Sequence, residues 1–233
     1  MTWVDFPATP WWYVAVLMVA GAAVGGVLAT QLRSLEYRLD HETGRGPRAP
    51  GWAVAGGVAL LWGLLAWRFG PAAEYALAPA YLGFAVVGVA LVWVDIDVHR
   101  LPHGLTRPAY PMLAGQLALA SWASGNWGAF GRAVIAGAVL WGVYLLLALL
   151  AALLRSGFGL GDVTLAGLVG LATGYVSAWG PVVATYAAFL LSGAYGLGRI
   201  IVRRGTRKDH IAFGPWMLVG ALVALVTQVR LFP

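Results

Sequence analysis

The stretch AVIAGAVLWGVYLLLALLAALL, residues 133–154, runs for 22 residues without one charged side chain. At about 1.5 Å of rise per residue, a helix of that length crosses the ~30 Å hydrocarbon core of a bilayer. Working outward from it, seven more apolar segments can be marked: 11–32, 52–67, 76–94 and 108–124 before it, and 163–179, 182–202 and 213–229 after it. The second and fourth of the eight are short, which fits tilted or partly interfacial helices. The expectation is an all-α, polytopic membrane protein with about eight transmembrane helices.

Composition agrees. Hydrophobic residues make up 61% of the 233 and charged residues only 10%, where a soluble domain carries about a quarter charged. Mean hydropathy is +0.79. These values exclude a soluble enzyme and a disordered chain. The lack of any cysteine excludes a disulfide-stapled domain and a thiolate metal site. The net charge of +6 does not imply nucleic acid, because the cations lie between apolar runs and form no basic face.

Those cations orient the chain. The connections after spans one, three, five and seven hold Arg33, Arg38, Arg45, Arg48, Arg100, Arg107, Arg155, Arg199, Arg203, Arg204, Arg207 and Lys208, whereas the other side holds only Arg68, Arg132 and Arg230. Cytoplasmic loops are enriched in Lys and Arg, so the odd-numbered connections are expected in the cytoplasm and both termini outside. The first apolar run is too long for a cleavable signal and reads as a retained span. The whole of 1–233 reads as one integral membrane domain in the plasma (inner) membrane. Its longest connection, 33–51, is a cytoplasmic loop with Gly44, Gly46, Pro47 and Pro50 near its end. Glycine runs such as Gly21–Gly26 and Gly193–Gly198 are expected to allow close helix packing. Tryptophans at 11, 12, 52, 93, 122, 127, 179 and 216 fall near span ends, as interfacial anchors do. The basic run 203–208 reads as a topology signal that also suits anionic lipid headgroups.

Nine carboxylates are few enough to examine singly. Asp5, Glu36, Asp40, Glu42, Glu74 and Asp209 fall in termini or connections, but Asp95, Asp97 and Asp162 sit at the ends of apolar spans on the expected cytoplasmic side. An acid at membrane depth needs water, a partner or a polar cavity, and marks a candidate site. Segment 93–106 holds Asp95, Asp97, His99, Arg100, Pro102 and His103. Its plain structural reading is a helix end turning polar, with Arg100 pairing an Asp. Segment 156–165 holds Gly159, Gly161 and Asp162, and its plain reading is a turn with an acid at a helix N-terminus. The missing Lys and strand argue against a phosphate cradle there.

Taken together, the two segments suggest more. Two carboxyls at one depth on different helices, brought close, do not both ionise readily. The charged one takes a proton from an attacking water, and its protonated neighbour polarises the carbonyl. That chemistry needs neither metal nor cofactor. A second possibility is a metal ion or proton-coupled transporter using Asp95, Asp97, His99, His103 and Asp162. A third is a non-catalytic assembly protein.

With these segments in hand, the chain resembles the type IV prepilin peptidases, membrane aspartyl proteases of the GxGD type. The match rests on Asp95, Asp97, Pro102, Leu105 and Thr106, on Gly159-Leu-Gly161-Asp162 with Leu165, and on Ile211-Ala-Phe213-Gly214-Pro215 (segment 211–215) before the last span. It covers about residues 81–225. The resemblance implies an aspartic-type endopeptidase with Asp95 and Asp162 as the catalytic pair. It implies accessory or substrate-binding roles for Asp97, Gly159, Gly161, Pro102, Phe213, Gly214 and Pro215. No cofactor and no metal is implied, and the implied partners are prepilin or pseudopilin precursors cut on the cytoplasmic side. The chain departs from the family pattern at His103, where Asp or Asn is usual, and at Thr164, where Lys is usual. Lacking cysteines and a large domain after span one, it is not expected to act as an N-methyltransferase.

Overall fold

The computed structural model describes residues 9–34, 37–38, 50–70, 75–98, 101, 103–154, 159–202 and 212–227. Among these the regular structure is all helical: α1 (Trp11–Arg33), α2 (Gly51–Phe69), α3 (Ala78–Val98), α4 (His103–Ser124), α5 (Trp127–Leu153), α6 (Leu160–Val176), α7 (Gly180–Ile201) and α8 (Gly214–Thr227), with a 3-10 turn at Tyr75–Leu77. The eight α-helices fall on the eight marked segments. Five of them, α1, α2, α3, α5 and α7, are long and apolar enough to cross a membrane, while α6 and α8 are apolar but shorter. Large apolar side chains such as Val19, Leu146, Leu153, Leu190 and Leu197 are exposed. Outward-facing greasy surfaces of this extent suit lipid and not water, and the chain reads as an integral membrane protein.

Several edges moved for physical reasons. The α3 helix continues past residue 94 and carries Asp95 and Asp97 within its last turn. The α4 helix begins at His103, not 108, with Pro108 and Pro111 inside it. Pro108, where the marked segment begins, is here an interior residue, which is tolerable in membrane helices where neighbours and local adjustments satisfy the freed carbonyls. The α5 helix begins at Trp127, where the Asn126 side chain accepts the Ala129 N–H at 3.1 Å as an N-cap. Gly125, with φ of 71°, makes the reversal before it.

The centre of the bundle is α6. Nearly every residue from Val163 to Tyr175 is buried, and α6 touches α4, α5, α7 and α8. Small residues decide where backbones meet, because apolar side chains gain little from leaving lipid for each other. A β-carbon at Gly170 would stand 2.6 Å from the Ala136 carbonyl oxygen and 2.9 Å from Gly137 Cα, so α5 and α6 are in backbone contact. Gly25 brings α1 against Ala55 of α2 in the same way, and Gly220 seats α8 on Ala184 of α7. At Gly193 and Gly198 the expectation does not hold. Nothing lies within 4 Å of a β-carbon at Gly193 or Gly198.

Polar ties then set the ends. The Tyr81 hydroxyl of α3 donates to the Ala172 carbonyl at 3.0 Å, and Arg132 donates to the carbonyls of Gly174 and Tyr175 at 2.9 and 2.6 Å. A cation at the C-terminus of α6 satisfies carbonyls left over by the helix and complements its dipole. Described residues beside connections one, three, five and seven meet one another at the opposite end of the bundle. Arg38 meets Asp97, Leu101 abuts Gly161, and Gly214 meets Asp95.

Candidate active site

The last turn of α3 carries both early acids, and helix geometry separates them. Successive residues are about 100° apart on a helix, so positions i and i+2 point to nearly opposite faces. Asp95 is 6% exposed and Asp97 8%, while Ile96 between them is exposed. The two acids are therefore buried on different sides of the same helix end.

Asp95 looks toward α6 and α8. Its Oδ2 accepts the backbone N–H of Gly214 at 3.1 Å, a bond spanning 119 residues of sequence. Gly214 opens α8, where helix N–H groups lack internal partners and suit an anion. Only glycine fits there without displacement, because a β-carbon would stand 2.7 Å from Asp95 Oδ2. The same β-carbon position is 3.6 Å from Leu165 of α6, so three helices converge on this point.

Asp162 lies half-buried in the first turn of α6. Its N–H donates to the Gly159 carbonyl at 3.1 Å, and its Oδ2 is 3.5 Å from where a Gly159 β-carbon would be. Asp162 is close enough to Asp95 to feel its charge. The buried Tyr144 phenol of α5 lies within electrostatic range of Asp162 as well. Gly161 makes the approach possible, since a β-carbon there would press Leu101 Cβ at 2.9 Å and push the α3–α4 turn away. Thr164, one of the two departures from the family pattern, turns its hydroxyl back to the Gly161 carbonyl at 2.8 Å.

Asp97 is engaged elsewhere. Arg38 donates to it through Nε at 2.8 Å and through Nη2 to Oδ1 at 2.7 Å. The Tyr37 hydroxyl donates to its Oδ2 at 2.8 Å, and the Trp93 indole N–H donates to that hydroxyl at 3.2 Å. Burial first, then the bond to Asp97, raises the Tyr37 phenol above its ordinary value, so it remains a donor at neutral pH. Sequence reasoning missed Arg38 and Tyr37. Arg38 was one of twelve topology cations, and the signal that finds it is the need of a buried acid for a partner at its own depth. Trp93 also departs from the anchor reading, being buried where Trp11, Trp52 and Trp122 are exposed. Asp97 is held by Arg38 and Tyr37, and no group of three metal-ligating side chains occurs among the described residues. His99, Arg100 and Pro102 lie outside the described residues, as does the His103 side chain.

Phe213 packs on Phe189 and Tyr144, with ring centroids 5.1 and 6.4 Å away. Pro215 forms one end of an apolar cleft of about 270 Å³ between α2, α3 and α8, which includes Gly57, Gly88 and Val92 and leads to the Asp95 end of the bundle. Two acids from separate helices, a backbone donor on one of them and an apolar cleft alongside make an arrangement suited to acid–base chemistry.

No protein-family profile matches the chain, and no solved structure matches it. Among curated proteins it is similar to the prepilin leader peptidase/N-methyltransferase of Aeromonas hydrophila, 32% identical over 183 residues that cover 76% of this chain and 51% of that protein. It is also similar to the protein of the same name from Aeromonas salmonicida (strain A449), 28% identical over 144 residues that cover 59% of this chain and 45% of that protein. The chain spans about half the length of the curated relatives it matches.

Proposed function

Taking as premise the prepilin peptidase family that these relatives support, we propose that the chain is an intramembrane aspartyl endopeptidase that removes the leader of prepilin or pilin-like precursors. What supports this reading is that Asp95 in the last turn of α3 and Asp162 in the first turn of α6 lie near enough for the charge of one to bear on the other. One acid of the pair is ionised and takes a proton from water as the oxygen attacks the scissile carbonyl carbon. The other is protonated and hydrogen-bonds the carbonyl oxygen as it gains charge. The tetrahedral intermediate then collapses, the C–N bond breaks, and the departing nitrogen collects a proton from the pair. Eight transmembrane helices, outward termini and a cytoplasm-facing site in the inner membrane complete the proposal, supported by twelve cations on the connections at the Asp95 end.

The test is incubation of the purified, detergent-solubilised protein with a pilin-like precursor, followed by mass analysis of the new N-terminus. The expected product is cut at the junction of leader and apolar segment and carries no added methyl group. A chelator is expected to leave the rate unchanged, and inhibition reversed by added metal would return weight to an ion site. An intact precursor under all conditions would overturn the peptidase reading.

Gly214 provides a finer check. Gly214→Ala adds a methyl group 2.7 Å from the Asp95 carboxylate. The carboxylate or the start of α8 must shift by several tenths of an ångström, and small misplacements at reacting groups cost up to about a hundredfold. Turnover is expected to fall by about ten- to a hundredfold with little change in melting temperature, as read by the same cleavage assay and a thermal scan.

A further inference from the structure

Asp95 is held on one side by Gly214, yet it rides on the last turn of a helix, where backbone bonds are fewest and ends fray. What stiffens that turn from the other side is the cluster on Asp97. Its Arg38 and Asp97 side chains are only 3% and 4% exposed. The contact is a two-pronged guanidinium–carboxylate pair, with Tyr37 and Trp93 completing the chain of donors. An exposed ion pair would do little. A buried, bidentate pair with a further donor on its carboxylate fixes geometry, and losing one partner leaves a stranded charge.

We infer that Arg38 is a positioning residue for the reaction: by clamping Asp97 it sets the rotation and height of the last turn of α3, and through that turn the carboxylate of Asp95. This rests on the peptidase reading of the Asp95–Asp162 pair. The clamp reaches from the connection after α1, 59 residues away, so it ties the α1–α2 hairpin to the catalytic end of α3. Beside it lies a cleft of about 150 Å³ lined by Ala53, Val54, Trp93 and Asp97, into which an unclamped turn has room to move. Tyr37 alone does not replace the clamp, because one hydroxyl constrains distance but not rotation. Lysine does not replace it either, being a point charge without the planar fork.

The experiment measures kcat and KM for precursor cleavage by wild type, Arg38→Ala, Arg38→Lys, Asp97→Asn and the Arg38→Ala/Asp97→Asn double variant, with thermal unfolding of each. Arg38→Ala and Asp97→Asn are each expected to lower kcat by about ten- to a hundredfold, with KM within about threefold. The double variant is expected to be no slower than the slower single, since both remove one interaction. Arg38→Lys is expected to fall between Arg38→Ala and wild type. Wild-type kcat in folded Arg38→Ala overturns the inference, as do losses that multiply in the double variant or appear wholly in KM. Should Arg38→Ala fail to fold, Arg38→Lys decides: reduced kcat at a normal melting temperature supports the clamp, and unchanged kcat overturns it. If wild type leaves the precursor intact, the peptidase reading has failed first and takes the positioning role with it.

Discussion

Asp95→Asn and Asp162→Asn are each expected to reduce precursor cleavage by about a thousandfold or more, down to background. An amide has nearly the shape of a carboxyl, so the substitution removes proton transfer while sparing the packing. At 95, the Asn side-chain oxygen still accepts the Gly214 N–H, which makes loss of the fold a poor explanation for loss of activity. At 162, the backbone bond to Gly159 does not involve the side chain at all. Because the acids work as a pair, the Asp95→Asn/Asp162→Asn protein is expected to be no slower than either single variant. Mass analysis of the precursor under single-turnover conditions, alongside melting curves, checks all three. Substantial cleavage by either single variant would remove the dyad mechanism. Asp97→Asn, which leaves the pair in place and acts only through the clamp, is expected to lose less than Asp95→Asn.

Gly170→Leu is expected to leave no correctly folded protein in detergent extracts, with activity lost accordingly. The neighbours of a β-carbon at 170 are the Ala136 carbonyl and Gly137 Cα, which are backbone and cannot swing aside. Even Gly170→Ala must separate α5 from α6 locally, an overpacking that costs about 1–3 kcal/mol. Leucine has no rotamer that avoids the facing helix. Since α6 carries Asp162 and packs against α4, α5, α7 and α8, displacing it undoes both the core and the site. Gly193→Leu, on the same kind of small-residue run, points into space with nothing within 4 Å. It is expected to melt within a few degrees of wild type. Size-exclusion profiles and thermal scans of the two variants separate these outcomes, and a wild-type melting temperature for Gly170→Leu would refute the backbone contact.

The contrast between Gly170 and Gly193 also marks where sequence reading stops. Both are glycines in apolar helices, and composition treats them alike. Which one meets a neighbour depends on which face each helix turns inward, and glycine-rich spans with little amphipathic contrast do not reveal that. Helix edges slipped for a related reason. Pro108 and Pro111 look like punctuation, but a bundle that satisfies the freed carbonyls lets α4 run through them. Trp93 looks like its neighbours at span ends, yet its indole is buried and bonded to Tyr37.

By itself the sequence determined an all-helical membrane bundle, the eight segments that become its helices, and the three acids worth attention. Those features follow from local hydropathy and charge, which each short window contains in full. Only the tertiary structure decided that Asp95 turns to Gly214 while Asp97 turns to Arg38. Those partners lie 119 and 59 residues away in sequence. The choice between them is made where helix ends from distant windows arrive at the same place, and no local pattern records that meeting.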